Sequence, residues 1–169
     1  KAIFKKKELD LNDLAENVAN TFTLRVEHTG GHIQTQLNAK EPTIYVDEMH
    51  FTNVIFNLLD NAVKYKHPDR PVELMIKSWN EGGRLYLSVK DNGIGLKKEN
   101  LKKIFEKFYR VHTGNVHDVK GFGLGLAYVK KIVELHKGEI HVESERGKGT
   151  TFIISLPEIK SGKQTGADE

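Results

Sequence analysis

Apolar positions along the chain fall into two alternating rhythms. Leu14, Val18 and Phe22 recur at helical spacing after a capping residue placed at Asn12, and that helix should fade at His28 to Gly31, HTGG. Ile33 and Leu37, then Ile44 and Val46, alternate with polar neighbours across a break at Pro42, which predicts two short strands. Asp47 is positioned to cap a second helix that runs to Tyr65 and stops before His67-Pro68. A hairpin follows: Val72, Leu74 and Ile76 share one face, Asn80 to Gly83 turns the chain, and Leu85, Leu87 and Val89 return on the same face. Arg84, Tyr86, Ser88 and Lys90 take the opposite, polar face, so the sheet should be covered on one side only. Beyond an irregular lysine-rich stretch, a glycine-rich turn opens a helix to about His136, with Gly138 set to end it. Two more strands carry Ile140 and Val142, then Phe152, Ile154 and Leu156. Interleaved helices and mostly antiparallel strands predict a two-layer α/β (α+β) sandwich with a mixed sheet and helices on one face.

Composition narrows this little. The 169 residues suit one domain, and 26 Lys plus Arg against 23 Asp plus Glu give a net charge of +3, no basis for binding nucleic acid through overall charge. Absence of cysteine excludes disulfides, thiolate metal sites and cysteine nucleophiles. No apolar run approaches the roughly 18 residues of a membrane helix, so no membrane contact is expected of this segment. The charged opening KAIFKKKELD reads as a linker over residues 1–8 from a missing upstream domain, followed by a domain over 9–157 and a disordered tail over 158–169.

Three segments carry candidate chemistry. In NLLDNAVKY, Asn57 to Tyr65, a helix spends two positions on asparagine, a mediocre helix former. Asn57, Asn61, Lys64 and Tyr65 fall within an arc of about 100°, beside the apolar arc of Phe51, Ile55, Leu58, Leu59 and Ala62. An amide oxygen suits Mg²⁺, and lysine supplies a point charge for phosphate; taken alone, a solvated face with two tolerated asparagines explains the stripe as well. In DNGIG, Asp91 to Gly95, Asp91 has the parity of Leu85, Leu87 and Val89, so a carboxylate emerges on the buried face and needs hydrogen-bond donors. A purine amine is one such donor, and Gly93 and Gly95 would admit a flat base; a plain reversing turn is the other explanation. In GFGLGL, Gly121 to Leu126, three glycines precede a helix, leaving free amides suited to phosphate. Its spacing is neither the dinucleotide G-x-G-x-x-G nor a P-loop, and a ligand-free hinge would also use such glycines.

Taken in order, NLLDNAVKY, DNGIG, IFEKFYR (Ile104 to Arg110) and GFGLGL resemble the N, G1, F and G2 boxes of the ATP-binding catalytic domain of sensor histidine kinases, and GKGTTFIISLP, Gly147 to Pro157, resembles the family's last strand. The resemblance spans about Leu9 to Pro157 and implies the Bergerat sandwich shared with gyrase, mismatch-repair and heat-shock chaperone ATPases. It further implies that Asn61 binds Mg²⁺, that Asn57 sits beside the triphosphate of ATP, and that Lys64 and Tyr65 line the phosphate and ribose. Asp91 would accept the adenine amine, with Thr150 on the base side. Gly93, Gly95, Gly121, Gly123, Leu124 and Gly125 would give backbone access and lid hinges. Arg110 would reach the phosphates, Phe105 and Phe108 would pack the lid, and Asn57, Lys64 and Arg110 would serve transfer.

Two departures stand out. Phe122 occupies a position where many relatives carry threonine or a small residue. Asn57 stands where the ATP-hydrolysing relatives place a glutamate base, and an amide takes no proton from water, which favours phosphoryl transfer over hydrolysis. The resemblance implies an acceptor histidine on a dimerising helical hairpin absent from this chain, a response regulator downstream, a monomeric isolated domain, and a cytoplasmic position in a membrane-anchored parent. His117-Asp118 is the sole local match to an acceptor pattern and reads as lid surface; His28, His32, His50, His67, His112, His136 and His141 lack metal-ligand spacing. Lys97, Lys98, Lys102, Lys103, Lys107, Arg110 and Lys120 outnumber Glu99, Glu106 and Asp118, an excess suited to phosphate and an acidic partner surface. A non-catalytic nucleotide sensor and an anti-sigma-factor-type serine kinase are the rival expectations.

Overall fold

The computed structural model describes residues 3–106 and 125–159. The described elements are β1 (Lys6–Asp10), α1 (Leu11–Glu27), β2 (His32–Leu37), β3 (Thr43–Asp47), α2 (Glu48–Lys64), β4 (Glu73–Glu81), β5 (Arg84–Asp91), α3 (Lys98–Leu101), α4 (Gly125–Leu135), β6 (Glu139–Glu145) and β7 (Gly149–Pro157). Five strands form one sheet in the order β2-β4-β5-β7-β6, antiparallel except for the β2–β4 pair. The expected mixed, mostly antiparallel sheet with helices on one face is what forms.

The alternation along β4, β5 and β7 explains the layering. Leu74, Ile76, Leu85, Leu87, Val89, Phe152, Ile154 and Leu156 are all buried and meet the apolar stripes of the helices, including Phe22, Phe51, Ile55, Leu58, Leu59 and Val133. Burying side chains of this size contributes about 1.5–3 kcal/mol each before conformational entropy is subtracted. The opposite face is less wet than its residue types predict. Ser88 is buried there, between Lys77 and Ile153 on the neighbouring strands, and Trp79 stacks on Tyr86 with ring centroids 5.3 Å apart. Gly82 and Gly83, both at positive φ, close the β4–β5 hairpin as a two-residue turn.

Three expectations need correction. Lys6–Asp10, assigned to the end of a linker and the domain's first residues, is a strand paired antiparallel with β3, so these two strands stand apart from the main sheet. The cap of α1 is Asp10, whose carboxylate accepts the Asp13 amide at 3.0 Å, because Leu11 is already buried and helical. Asn12 instead donates to the Ala39 carbonyl and accepts the Ser78 hydroxyl, tying α1 to the sheet. At the end of α4 the left-handed residue is Lys137, φ 67°, while Gly138 is demanded by space: a Cβ there would lie 2.6 Å from the Ser155 carbonyl oxygen. Asp47 caps α2 as expected, accepting the His50 amide at 3.0 Å.

His136, at the end of α4, locks the entry of the chain to both site-bearing helices. Its Nδ1 lies 2.8 Å from the Ile132 carbonyl oxygen, which only accepts, so Nδ1 carries the proton and Nε2 accepts the Asp47 amide at 3.2 Å. Phe4 packs on both His136 and His50, and the Lys5 amide donates to Asp47. Burial pushes the His136 pKa down. For Asp47, burial pushes upward but the amides of His50 and Lys5 more than offset it, holding the carboxyl below its ordinary range.

Candidate functional site

The end of β5, the C-terminal half of α2 and the β6–β7 turn converge on Asp91. Strand parity delivers its carboxylate to the helix-covered side, as the alternation predicts. Oδ1 accepts the Gly93 amide at 2.8 Å and the Thr150 amide at 3.2 Å, and no described donor reaches Oδ2. Desolvation by burial pushes the Asp91 pKa up from 3.8 to about 6, against the pull of those two amides. A half-satisfied carboxylate in a sheltered position is an acceptor in search of a donor.

The surrounding turn is stitched from backbone. Ile94 donates its amide to the Tyr65 carbonyl at the end of α2, and Gly147 donates to the Ile94 carbonyl at 2.7 Å. Gly93 and Gly95 were expected to make room for a base, but the protein itself already requires both. A Cβ on Gly93 would sit 2.5 Å from the Tyr65 carbonyl oxygen, and one on Gly95, φ +72°, 2.0 Å from that of Glu145. Thr150 is buried, with its hydroxyl 2.8 Å from the Ser144 hydroxyl, which in turn accepts the Leu96 amide. Thr150 therefore fixes the carboxylate through its own amide.

On α2, Asn57, Asn61, Lys64 and Tyr65 are all half-buried, a stripe at the core's edge. The Asn57 amide nitrogen donates to the Asn53 carbonyl at 2.7 Å, and its Oδ1 lies 3.1 Å from where a Cβ on Gly125 would stand. The first residue of α4 thus abuts the asparagine stripe. No described side chain or backbone group is seen to hydrogen-bond the Asn61 amide, and no cluster of three or more His, Asp or Glu side chains suited to a metal occurs among the described residues. A hard cation here would draw its remaining ligands from phosphate and water, a donor set that fits Mg²⁺. Phe105 packs edge-on against Phe152, with the Lys130 ammonium 5.5 Å from its ring centroid. Arg110, Phe108, His117, Gly121, Phe122, Gly123 and Leu124 lie outside the described residues.

Sequence patterning missed three contributors. Arg70 donates to the carbonyls of Asn92, Gly93 and Gly147, at 2.9, 3.3 and 2.7 Å, clamping the turn after Asp91 against the β6–β7 turn. Asn92 faces away from the site: its amide accepts from Glu73 and donates to Pro71. Asp60 accepts Arg25 at 3.0 Å on one oxygen and Lys64 at 3.1 Å on the other. Arg70 and Asn92 sit in loops, where no periodicity flags a residue; the i,i+4 spacing of Asp60 and Lys64 was the one available signal.

A family model described as histidine kinase-, DNA gyrase B- and HSP90-like ATPase matches residues 46–160. The sensor protein RprX of Bacteroides fragilis is 64% identical over 134 residues, which is 79% of this chain and 26% of RprX. The sensor histidine kinase WalK of Bacillus subtilis is 39% identical over 105 residues, 61% of this chain and 17% of WalK. The chain thus spans about a quarter of RprX and less of WalK. Among solved structures, full-length ShkA in complex with AMPPNP superposes with a TM-score of 0.80 at 28% identity, covering 95% of this chain and 32% of ShkA.

Proposed function

The chain belongs to the histidine kinase-, DNA gyrase B- and HSP90-like ATPase family, and we propose on that premise that it is the catalytic domain of a sensor histidine kinase in two-component signalling. It binds Mg²⁺-ATP and delivers the γ-phosphate to a histidine on a dimerisation domain of its parent protein, from which a response regulator is served. The observation that carries this is Asp91. Its Oδ1 is held by two backbone amides while Oδ2 is left for a donor, which is what an adenine amine supplies.

Each residue then has a task set by its chemistry. Asp91 takes the adenine amine, and Thr150 and Gly93 keep its carboxylate aimed. Arg70 holds the turn carrying Gly93 and Gly95. Asn61 offers an amide oxygen to Mg²⁺, whose role when bound is to neutralise phosphate charge. Asn57, Lys64 and Tyr65 line the phosphates and ribose, joined by Arg110 and the Gly121 to Gly125 segment. Phosphoryl transfer needs positioning and charge neutralisation more than a base, and Asn57 supplies none. This favours transfer to a neutral imidazole over hydrolysis. Acid-labile phosphoprotein distinguishes this from a serine kinase, and ATP binding without transfer would mark a sensor module.

Calorimetric titration of ATP with and without Mg²⁺ tests the assignment. Saturable one-to-one binding, strengthened by Mg²⁺ in the wild type and indifferent to it in Asn61→Ala, is expected. Binding unaffected by either change would refute the placement of the phosphates on α2.

A further inference from the structure

Lys64 does not wait in the open: its ammonium is paired with Asp60, one turn back on α2. The same carboxylate has a second cation on its other oxygen, the Arg25 guanidinium of α1. The two cations are held differently. Arg25, though exposed, lays its guanidinium carbon 4.8 Å from the centroid of the Phe22 ring, a ring that is itself buried and tilted against Phe56. Lys64 hangs on a flexible four-carbon stem beside Asn57 and Asn61. The Asp60 side chain is only 18% exposed, so releasing every partner would leave a sheltered charge unpaired. With Arg25 on its other oxygen and against the Phe22 ring, Asp60 keeps a counter-ion when Lys64 leaves.

From this geometry we infer that Asp60 is a positioning residue that parks Lys64 until nucleotide binds and then surrenders it to the phosphates, with Arg25 retained as counter-ion. The inference rests on the placement of the triphosphate along α2 proposed above. Asp60 competes with phosphate for one lysine, so it sets affinity by how much phosphate the ligand carries. Arg25 weakens that competition by sharing the carboxylate. Asp60→Asn therefore tightens ATP binding, while Arg25→Met, which leaves Asp60 with Lys64 as its single cation, weakens it. A brace between α1 and α2 with no link to ligand would make both substitutions act in the same direction.

The test is calorimetric affinity for ATP and for adenosine at about 0.15 M salt, where fields between separated surface charges are screened. The proteins are the wild type, Asp60→Asn, Arg25→Met, Lys64→Met and Lys64→Met/Asp60→Asn. Exposed and half-exposed ion pairs are worth little, so the expected changes are about two- to fivefold: tighter ATP in Asp60→Asn, weaker in Arg25→Met, adenosine unmoved in both. Without Lys64, the gain from Asp60→Asn should vanish. Shifts of one sign, equal shifts for adenosine, or a gain that persists without Lys64 would overturn the inference while leaving nucleotide binding intact. A wild type that binds no ATP would take down the proposed function and this inference with it.

Discussion

Replacing Asp91 by asparagine should make the empty protein more stable and the nucleotide complex weaker. Asparagine keeps the shape and can still accept the Gly93 and Thr150 amides through its oxygen, the contacts that aim the native carboxylate. It removes the desolvated charge. In the folded protein the Asp91 pKa is raised from 3.8 to about 6, which at about 1.4 kcal/mol per pH unit sets a ceiling near 3 kcal/mol on what the ionised carboxylate costs. The sign is that of a raised acid: nothing is lost below the unfolded pKa, the cost grows as pH rises between the two values, and it is complete above about 6. Asp91→Asn should therefore raise Tm at pH 8 by several degrees, up to about 10 °C, and by roughly half as much at pH 5. The nucleotide responds oppositely. With its oxygen held by the two amides, asparagine turns an NH₂ toward the adenine amine, donor against donor. Losing a hydrogen bond to a charged acceptor costs about 1.5–3 kcal/mol, about 10- to 200-fold in ATP affinity. Differential scanning calorimetry and ATP titration on the same preparation read both effects. A variant less stable than the wild type at pH 8, or one that binds ATP equally well, would refute the reasoning.

Four other substitutions and conditions give further outcomes. Wild-type ATP affinity, flat above about pH 6, should fall roughly tenfold per pH unit below it as Asp91 protonates, and a flat profile down to pH 5 would contradict the adenine contact. His136 has its pKa depressed by burial and its Nε2 already accepting a backbone amide. Its contribution to stability should be full above about 6.5 and lost as pH falls toward the folded value; denaturant melts in the Asp91→Asn background isolate it, and His136→Gln should flatten the dependence. Gly95→Ala would force a left-handed alanine against the Glu145 carbonyl and should destabilise by more than about 1 kcal/mol, whereas Gly82→Ala, at a positive φ in open space, should cost only its backbone strain. Arg70→Met should lower stability by about 1–3 kcal/mol and weaken ATP binding together, since it frees the turn beside Asp91.

Periodicity made the five-stranded sheet and its long helices legible, because burial on one face writes itself into every second or every third and fourth residue. Parity alone carried Asp91 to the sheltered side, and helical spacing gathered Asn57, Asn61, Lys64 and Tyr65. What stayed hidden depends on partners far along the chain. KKELD is charged enough to pass for a linker, and only pairing with Thr43–Asp47 makes it a strand. Gly93 and Gly95 advertise freedom, but the carbonyls of Tyr65 and Glu145 that demand it are distant in sequence. Arg70 lies between Asp69 and Pro71 in a loop with no period, and its three carbonyl acceptors come from two other turns. His136 has no spacing that sets it apart from the other histidines, yet it is 4% exposed, because Phe4 and Phe51 close over it.

The most direct measurement of the central claim is phosphate transfer. The domain is mixed with the histidine-bearing helical domain of its parent and γ-labelled ATP, and the labelled protein is treated with acid and with base. Label on the helical domain that is lost in acid, kept in base, and much reduced with the Asp91→Asn domain at ATP concentrations that do not saturate the variant is the predicted result. A folded, ATP-bound domain that leaves the histidine unlabelled, or a label that survives acid, would contradict it.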